Sequence, residues 1–291
     1  MLLPMKGGYF MKWKIISDTS TDIITLSDLS TNIDYERVPF VIDIDGQSYH
    51  DDLTTSTEQF IELYSHAKSN TSTACPSPQD FLNAFEGADT ILCFTISKNV
   101  SGSYNSANIA KDMFLEKHPE ASIYIFDSQS SSAEVNLLIR KAVELIDKID
   151  NFNTVIDELK RYHEHTDVNF LLLNVGNLVK NGRVNRFIGQ MIGLLNIRLI
   201  GKRTLDGRIE LASKAKGKKR SYRTLLNEMI KQGYQGDYVE IAHAHNITEA
   251  EEFDELIRSE FPNAKSLIIE TSGLNAYYAE KDGLIIGYEK S

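Results

Sequence analysis

Cysteine is scarce in this chain, with only Cys75 and Cys93 among 291 residues. Two thiols cannot build a disulfide framework, so a reducing, cytoplasmic setting is expected. No run of roughly 20 apolar residues is present, which excludes an integral membrane helix at the sequence level. The start, "MLLPMKGGYFMKWKIIS", lacks a signal-peptide core because Pro4, Lys6, Gly7, Gly8, Lys12 and Lys14 interrupt it. Residues 1–10 read as a loose extension, or as an upstream start before Met11. Positive charge is in deficit: 31 Lys and Arg against 41 Asp and Glu give a net charge of −10. That balance argues against general nucleic-acid binding, which needs a basic face to neutralise phosphate. A Gly-rich Walker loop is absent, and the hydroxyl-rich loops at the strand ends have no His beside their serines.

What remains is the composition of a globular protein, 42% hydrophobic and 25% charged. The length suits one large domain or two ordinary ones. Three apolar segments, "WKIISDTSTD", "DTILCFTIS" and "ASIYIFDSQSSS", each read as a buried strand ending in a hydroxyl-rich turn. Helical patterns follow, in "STEQFIELYSHAKS" with Thr57 as the N-cap candidate, in "PSPQDFLNAFEG", and from Ser103 onward. Alternating strands and helices predict an α/β fold whose first part has a mainly parallel sheet flanked by helices. In such sheets ligands bind beyond the carboxyl ends of the strands, where the hydroxyl loops fall.

The second part starts near residue 168. "RVNRFIGQMIGLLNIRLIG" reads as helix then strand, and "TLDGRIELASKAKG" as a hairpin around Asp206-Gly207. "KKRSYRTLLNEMIKQG" reads as a helix closed by Gly233, and "TEAEEFDELIRSEFP" as one capped by Thr248. The expected division is residues 11–167 and 168–291, with a ligand cleft between two α/β domains.

The loop "FTISKNVSGSYNSA" places Ser97, Ser101 and Ser103 between a strand and a helix, with Gly102 allowing close backbone approach. Hydroxyls and free N–H groups at a helix start suit an anionic head group. The same serines could instead cap the helix and fill the turn. "SDTSTD", "DSQSSS" and "STACP", which carries Thr73, add hydroxyls at neighbouring strand ends. The reading is a polar cleft that holds an anion and performs no chemistry. His243 and His245 in "HAH" would share one strand face as half of a metal site, but no third ligand is near in sequence. The basic run "SKAKGKKRSYR" reads first as a solvated face, then as a docking patch for an acidic partner, and last as a nucleic-acid contact.

The segments "ISDTSTDI", "VPFVIDIDGQSYHDD", "STACPSPQDF", "ISKNVSGSYNSA", "IYIFDSQS", "NLVKNGRV", "LLNIRLIG" and "DGRIE" occur in the order that resembles the DegV family of bacterial fatty-acid-binding proteins. The resemblance implies two α/β domains enclosing a long-chain fatty acid such as palmitate, stearate or oleate. It implies no catalytic residue, no metal and no other cofactor. The carboxylate would lie at the hydroxyl loops and the tail in an apolar tunnel, and the acid would be presented to a separate ATP-dependent fatty acid kinase. Carried onto this chain, the head-group contacts are Thr73, Ala74, Ser97, Lys98, Ser101, Ser103, Arg183 and Tyr277. Three departures stand out. Thr73-Ala74-Cys75-Pro76 replaces Thr-Ser-Gln-Pro. Lys98 stands where the family has a second serine. "NAYYAEKDG" replaces His-x-Gly-Pro-Gly, with Tyr277 or Tyr278 near the histidine's place. Two other classes remain open at this level: a subunit or enzyme binding a small phosphorylated or hydroxylated ligand, and a regulatory interaction module.

Overall fold

The computed structural model describes residues 12–26, 33–184 and 196–291. The expected N-terminal extension and the helix expected after Arg183 lie outside those residues, apart from Val184.

Four strands, β1 (Trp13–Asp18), β2 (Ile33–Val38), β6 (Thr90–Thr95) and β7 (Ser122–Asp127), form an all-parallel sheet in the order β2-β1-β6-β7. Successive residues point to opposite faces, and both faces are apolar. Ile15, Leu92 and Phe94 pack against α4 (Ala133–Ile146) and α5 (Phe152–Glu164). Ile16, Ile91 and Cys93 pack on the other side, against α2 (Pro78–Phe85) and α3 (Ser103–Lys117). Between them in sequence, β3 (Val41–Ile44), β4 (Gln47–His50) and β5 (Ser72–Ala74) form a small antiparallel sheet beside α1 (Thr57–Ser65).

The second sheet has six strands in the order β10-β9-β8-β13-β11-β12. These are β8 (Thr166–Leu172), β9 (Ile197–Arg203), β10 (Ile209–Lys216), β11 (Val239–His243), β12 (Ser266–Glu270) and β13 (Leu284–Glu289). All neighbours are antiparallel except β11 and β12. One face packs on α7 (Lys218–Lys231) and α8 (Ile247–Glu260) through Leu225, Met229, Phe253 and Ile257. The other face turns toward the first half of the chain. It carries Phe170, Leu172 and Ile285 and meets α6 (Gly176–Lys180), α9 (Gly273–Ala279) and the start of α4. Gly287 permits that last contact: a Cβ there would lie 2.5 Å from the Ala133 carbonyl carbon and the Glu134 nitrogen.

Several local expectations shift by a residue or two. Ser56, not Thr57, caps α1; its hydroxyl accepts from Gln59 N while Gln59 reaches back to Ser56 N. Thr57 Oγ1 instead donates to Thr271 O at 2.7 Å, tying α1 to the loop before α9. Asn246, not Thr248, caps α8. Gly233 follows the end of α7 at φ +106°, a conformation that favours glycine.

Candidate functional site

The carboxyl-end loops of the parallel sheet face the apolar side of the six-stranded sheet, and a cavity, partly open to solvent, lies between them. Its apolar wall includes Phe40, Val100, Phe170, Leu172, Ile209 and Ile285. Its polar wall includes Thr73, Ser101, Ser130, Asn275, Tyr278 and Arg183. No Asp or Glu is among its described lining residues, although the chain has ten more acidic than basic side chains.

Three buried aspartates hold the surrounding loops in place. Asp18 ends β1, accepts from Ser20 N at 3.1 Å, and reaches Ile96 N at 3.0 Å and Ser103 Oγ at 2.5 Å. Asp22 accepts from Ser132 Oγ at 2.5 Å, Ser272 N at 2.8 Å and Asn275 Nδ2 at 2.7 Å. Asp51 accepts from Gly273 N at 2.9 Å and Leu274 N at 3.0 Å at the start of α9. Burial pushes all three carboxyls above the usual carboxylate range, and the donors around each oppose that shift. Asp22 and Asp51 thus fasten α9, and with it Leu274, Asn275 and Tyr278 of the cavity wall, to loops more than two hundred residues earlier in the chain.

The residues expected at the head group separate into two sets. Thr73, Ser101 and Arg183 line the cavity. Thr73 Oγ1 shares a hydrogen bond of 2.7 Å with Tyr278 Oη. Ser101 Oγ accepts from Ser103 N at 3.3 Å, leaving its own O–H to donate. Arg183 donates to Asn181 O and has no carboxylate partner among the described residues.

Ala74, Ser97, Lys98, Ser103 and Tyr277 do not line the cavity. Ala74 alternates with Thr73 on β5 and points outward, as a strand's period of two requires. Ser97 is buried in the turn, where its N donates to Ser130 O at 3.0 Å and its Oγ accepts from Asn99 N. Lys98 is half exposed and turns outward, its Nζ 3.4 Å from Asp127 Oδ2. Ser103 spends its hydroxyl on Asp18. Tyr277 is fully buried, with its Oη 2.6 Å from Thr71 Oγ1 and accepting from Asn181 Nδ2 at 3.0 Å. Neighbouring helix residues point about 100° apart, so only one of the two tyrosines can face the cavity, and it is Tyr278. Burial raises the Tyr278 phenol above its ordinary pKa, so it remains a neutral donor.

The sequence reading missed Ser130, Asn275 and Arg203. Ser130 lay within a loop already singled out, "DSQSSS". Arg203 lines the cavity but is neutralised by a two-point contact with the buried Glu134, at 2.9 and 3.1 Å. The hairpin tip at Asp206-Gly207 closes against the same loops: Asn99 Nδ2 donates to Asp206 O at 2.6 Å, and Gly207, at φ +80°, lies against Ser97 and Gln129. His243 ends β11, whereas His245 lies past a reversal at φ +55°, so the two do not share a strand face. No group of three or more metal-ligating side chains occurs among the described residues. In the basic run, Lys218 pairs with Glu249 and Glu252, and Arg223 pairs with Glu260. No helix among the described residues is long and apolar enough to cross a membrane.

Comparison with known proteins follows the same lines. A model of the family described as "Uncharacterised protein, DegV family" matches residues 12–290. A DegV domain-containing protein of Streptococcus pneumoniae is 42% identical over 280 residues, covering 96% of this chain and 99% of the relative. Among solved structures, the Streptococcus pneumoniae Fatty Acid Kinase (Fak) B3 protein loaded with linoleic acid superposes with a TM-score of 0.94 at 41% identity, covering 97% of this chain and all of that one. A DegV family protein from Eubacterium eligens loaded with heptadecanoic acid gives a TM-score of 0.91 at 26% identity, covering 96% and 100% of the two chains. The family match along nearly the whole length, together with relatives at about 40% identity, shows that this chain belongs to the DegV family.

Proposed function

We propose that this protein is a non-catalytic carrier of a long-chain fatty acid, working in the cytoplasm and presenting the acid to a fatty acid kinase. One observation carries the reading. An apolar cavity with hydroxyls, an arginine that has no carboxylate partner among the described residues, and no described acidic lining suits one anionic group joined to an apolar tail. Burying a tail of about sixteen carbons gains about 0.8 kcal/mol per CH₂, reduced by the entropy cost of association. The wall therefore needs only to orient the head group. The kinase step is supported by the likeness to the Fak B3 protein over the whole of that chain. The donors and arginine of the cavity wall support a part in holding and presenting the head group.

The test is mass spectrometry of organic extracts alongside native mass spectrometry of the intact protein. One stoichiometric C14–C18 acid, diminished in Thr73→Ala, Ser101→Ala or Arg183→Ala, is the expected result. A clean apo mass, with no uptake of added palmitate or oleate, would sink the reading.

A further inference from the structure

The loop after β7 holds four serines in five residues, Ser128 and Ser130 to Ser132. Three have committed hydroxyls. Ser128 Oγ donates to Ser130 O at 3.0 Å, Ser131 Oγ to Asn275 Oδ1 at 2.6 Å, and Ser132 Oγ to Asp22. Ser130 is different. Its backbone is fully used: N donates to Ser128 Oγ at 3.1 Å, and O accepts from Ser97 N. Its side chain is 5% exposed, lines the cavity, and has no hydrogen-bond partner for Oγ among the described residues. A buried hydroxyl without a partner is costly, and native proteins keep few of them.

The loop is also held rigid. Gln129 and Ser132, on either side, have φ of +51° and +58°, a sparsely populated region for side-chain-bearing residues. From outside, the hairpin tip presses on Gln129: a Cβ on Gly207 would lie 2.8 Å from Gln129 Cα. Ser130 and Ser101 are joined through one residue, since Ser97 N donates to Ser130 O and Ser97 O accepts from Ser101 N at 3.2 Å. Both serines line the cavity. Lys98, inside the turn that runs from Ser97 to Ser101, is half exposed and pairs with Asp127 instead.

We propose that Ser130 Oγ donates a hydrogen bond to the carboxylate of the bound acid, and that Ser130 with Ser101, and not Lys98, forms the hydroxyl pair of the head-group site. This rests on the carrier reading above. The preset loop spends no ordering entropy when the ligand arrives, which is why a single hydroxyl there counts toward affinity.

The experiment compares ligand-stripped wild-type protein with Ser130→Ala, the near-isosteric weak donor Ser130→Cys, and Lys98→Ala. It measures palmitate affinity and the melting temperature without ligand. Both Ser130 variants are expected to bind about tenfold more weakly, the factor for one charge-assisted hydrogen bond. Their ligand-free melting temperatures are expected to be unchanged or raised, because an unpartnered hydroxyl has been removed. Lys98→Ala is expected to bind as wild type. Wild-type affinity in both Ser130 variants would overturn the proposal and leave the carrier reading standing. Weaker binding accompanied by a lower ligand-free melting temperature would also overturn it, in favour of a packing role. Failure of the wild-type protein itself to take up palmitate or oleate would instead remove the carrier reading.

Discussion

Replacing Asp22 with alanine tests whether the cavity wall depends on a carboxylate clamp. The side chain is fully buried at the end of the first hydroxyl loop and accepts from Ser132 Oγ, Ser272 N and Asn275 Nδ2. Asn275 Nδ2 keeps Ser20 O at 2.9 Å as a second acceptor, so truncation strands two donors, Ser132 Oγ and Ser272 N. At about 1–3 kcal/mol for each buried donor left unpaired, the loss is about 2–6 kcal/mol. Relief of the carboxylate's own desolvation offsets part of it, which places the expected value near the lower half of that range. Stability of this size is a large fraction of what a typical domain has. The effect should reach the ligand, because Leu274, Asn275 and Tyr278 belong to the segment that Asp22 anchors. Urea unfolding of Asp22→Ala and Asp22→Asn, with and without bound acid, provides the readout. Asp22→Asn keeps one acceptor and should lose about half as much. An alanine variant within about 1 kcal/mol of wild type, releasing acid at the wild-type rate, would refute the clamp.

Tyr278→Phe should weaken acid binding about two- to tenfold, the loss of one ordinary hydrogen bond, with little change in melting temperature. Tyr277→Phe should do the reverse, costing about 1–3 kcal/mol by stranding the Thr71 hydroxyl, since Asn181 Nδ2 keeps Asn177 O as an acceptor, while affinity holds; titration calorimetry and thermal melts on the pair would expose an exchange of roles. Gly207→Ala combines a left-handed backbone with a Cβ pressed into Gln129, so denaturant unfolding should show a loss of about 2–4 kcal/mol. A neutral outcome there would mean the hairpin tip does not rest on the cavity loops. Glu240 ties to Arg140 at 2.7 Å, and burial raises its pKa to about 7. A raised pKa means the folded state binds the extra proton, so this contribution is full below about pH 4.5 and is lost as pH rises through about 7. Glu240→Gln should therefore flatten the stability profile between pH 5 and 7, where the wild-type slope from this group is at most about 1.4 kcal/mol per pH unit; equal slopes for both proteins would count against it.

The α/β class, the parallel first sheet and the loops that bear hydroxyls were legible in the sequence, because each depends on short-range pattern. Strand period, helical period and turn residues act within a few positions of one another, and the family resemblance rested on the same local segments. The Asp206-Gly207 hairpin belongs here too, since its turn chemistry is local. Caps were nearly legible: Ser56 and Thr57 are equivalent in chemistry, and only the backbone angle at Ser56 decides between them.

Tertiary structure decided which of these groups meets the cavity. Tyr277 and Tyr278 are indistinguishable by composition, and the rotation of α9, set by Asp22 and Asp51 from the other end of the chain, sends one inward to Thr71 and the other to Thr73. Lys98 could face a carboxylate or solvent until Asp127 drew it outward. Ser130 was one serine among four until the hydroxyls of its neighbours found partners and its own found none among the described residues. Sequence by itself thus determined the elements and the kind of chemistry the loops could offer, because those follow from local sterics and polarity. Which side chains face the cavity followed from hydrogen bonds between residues far apart in the chain, and those bonds exist only once the two sheets have packed.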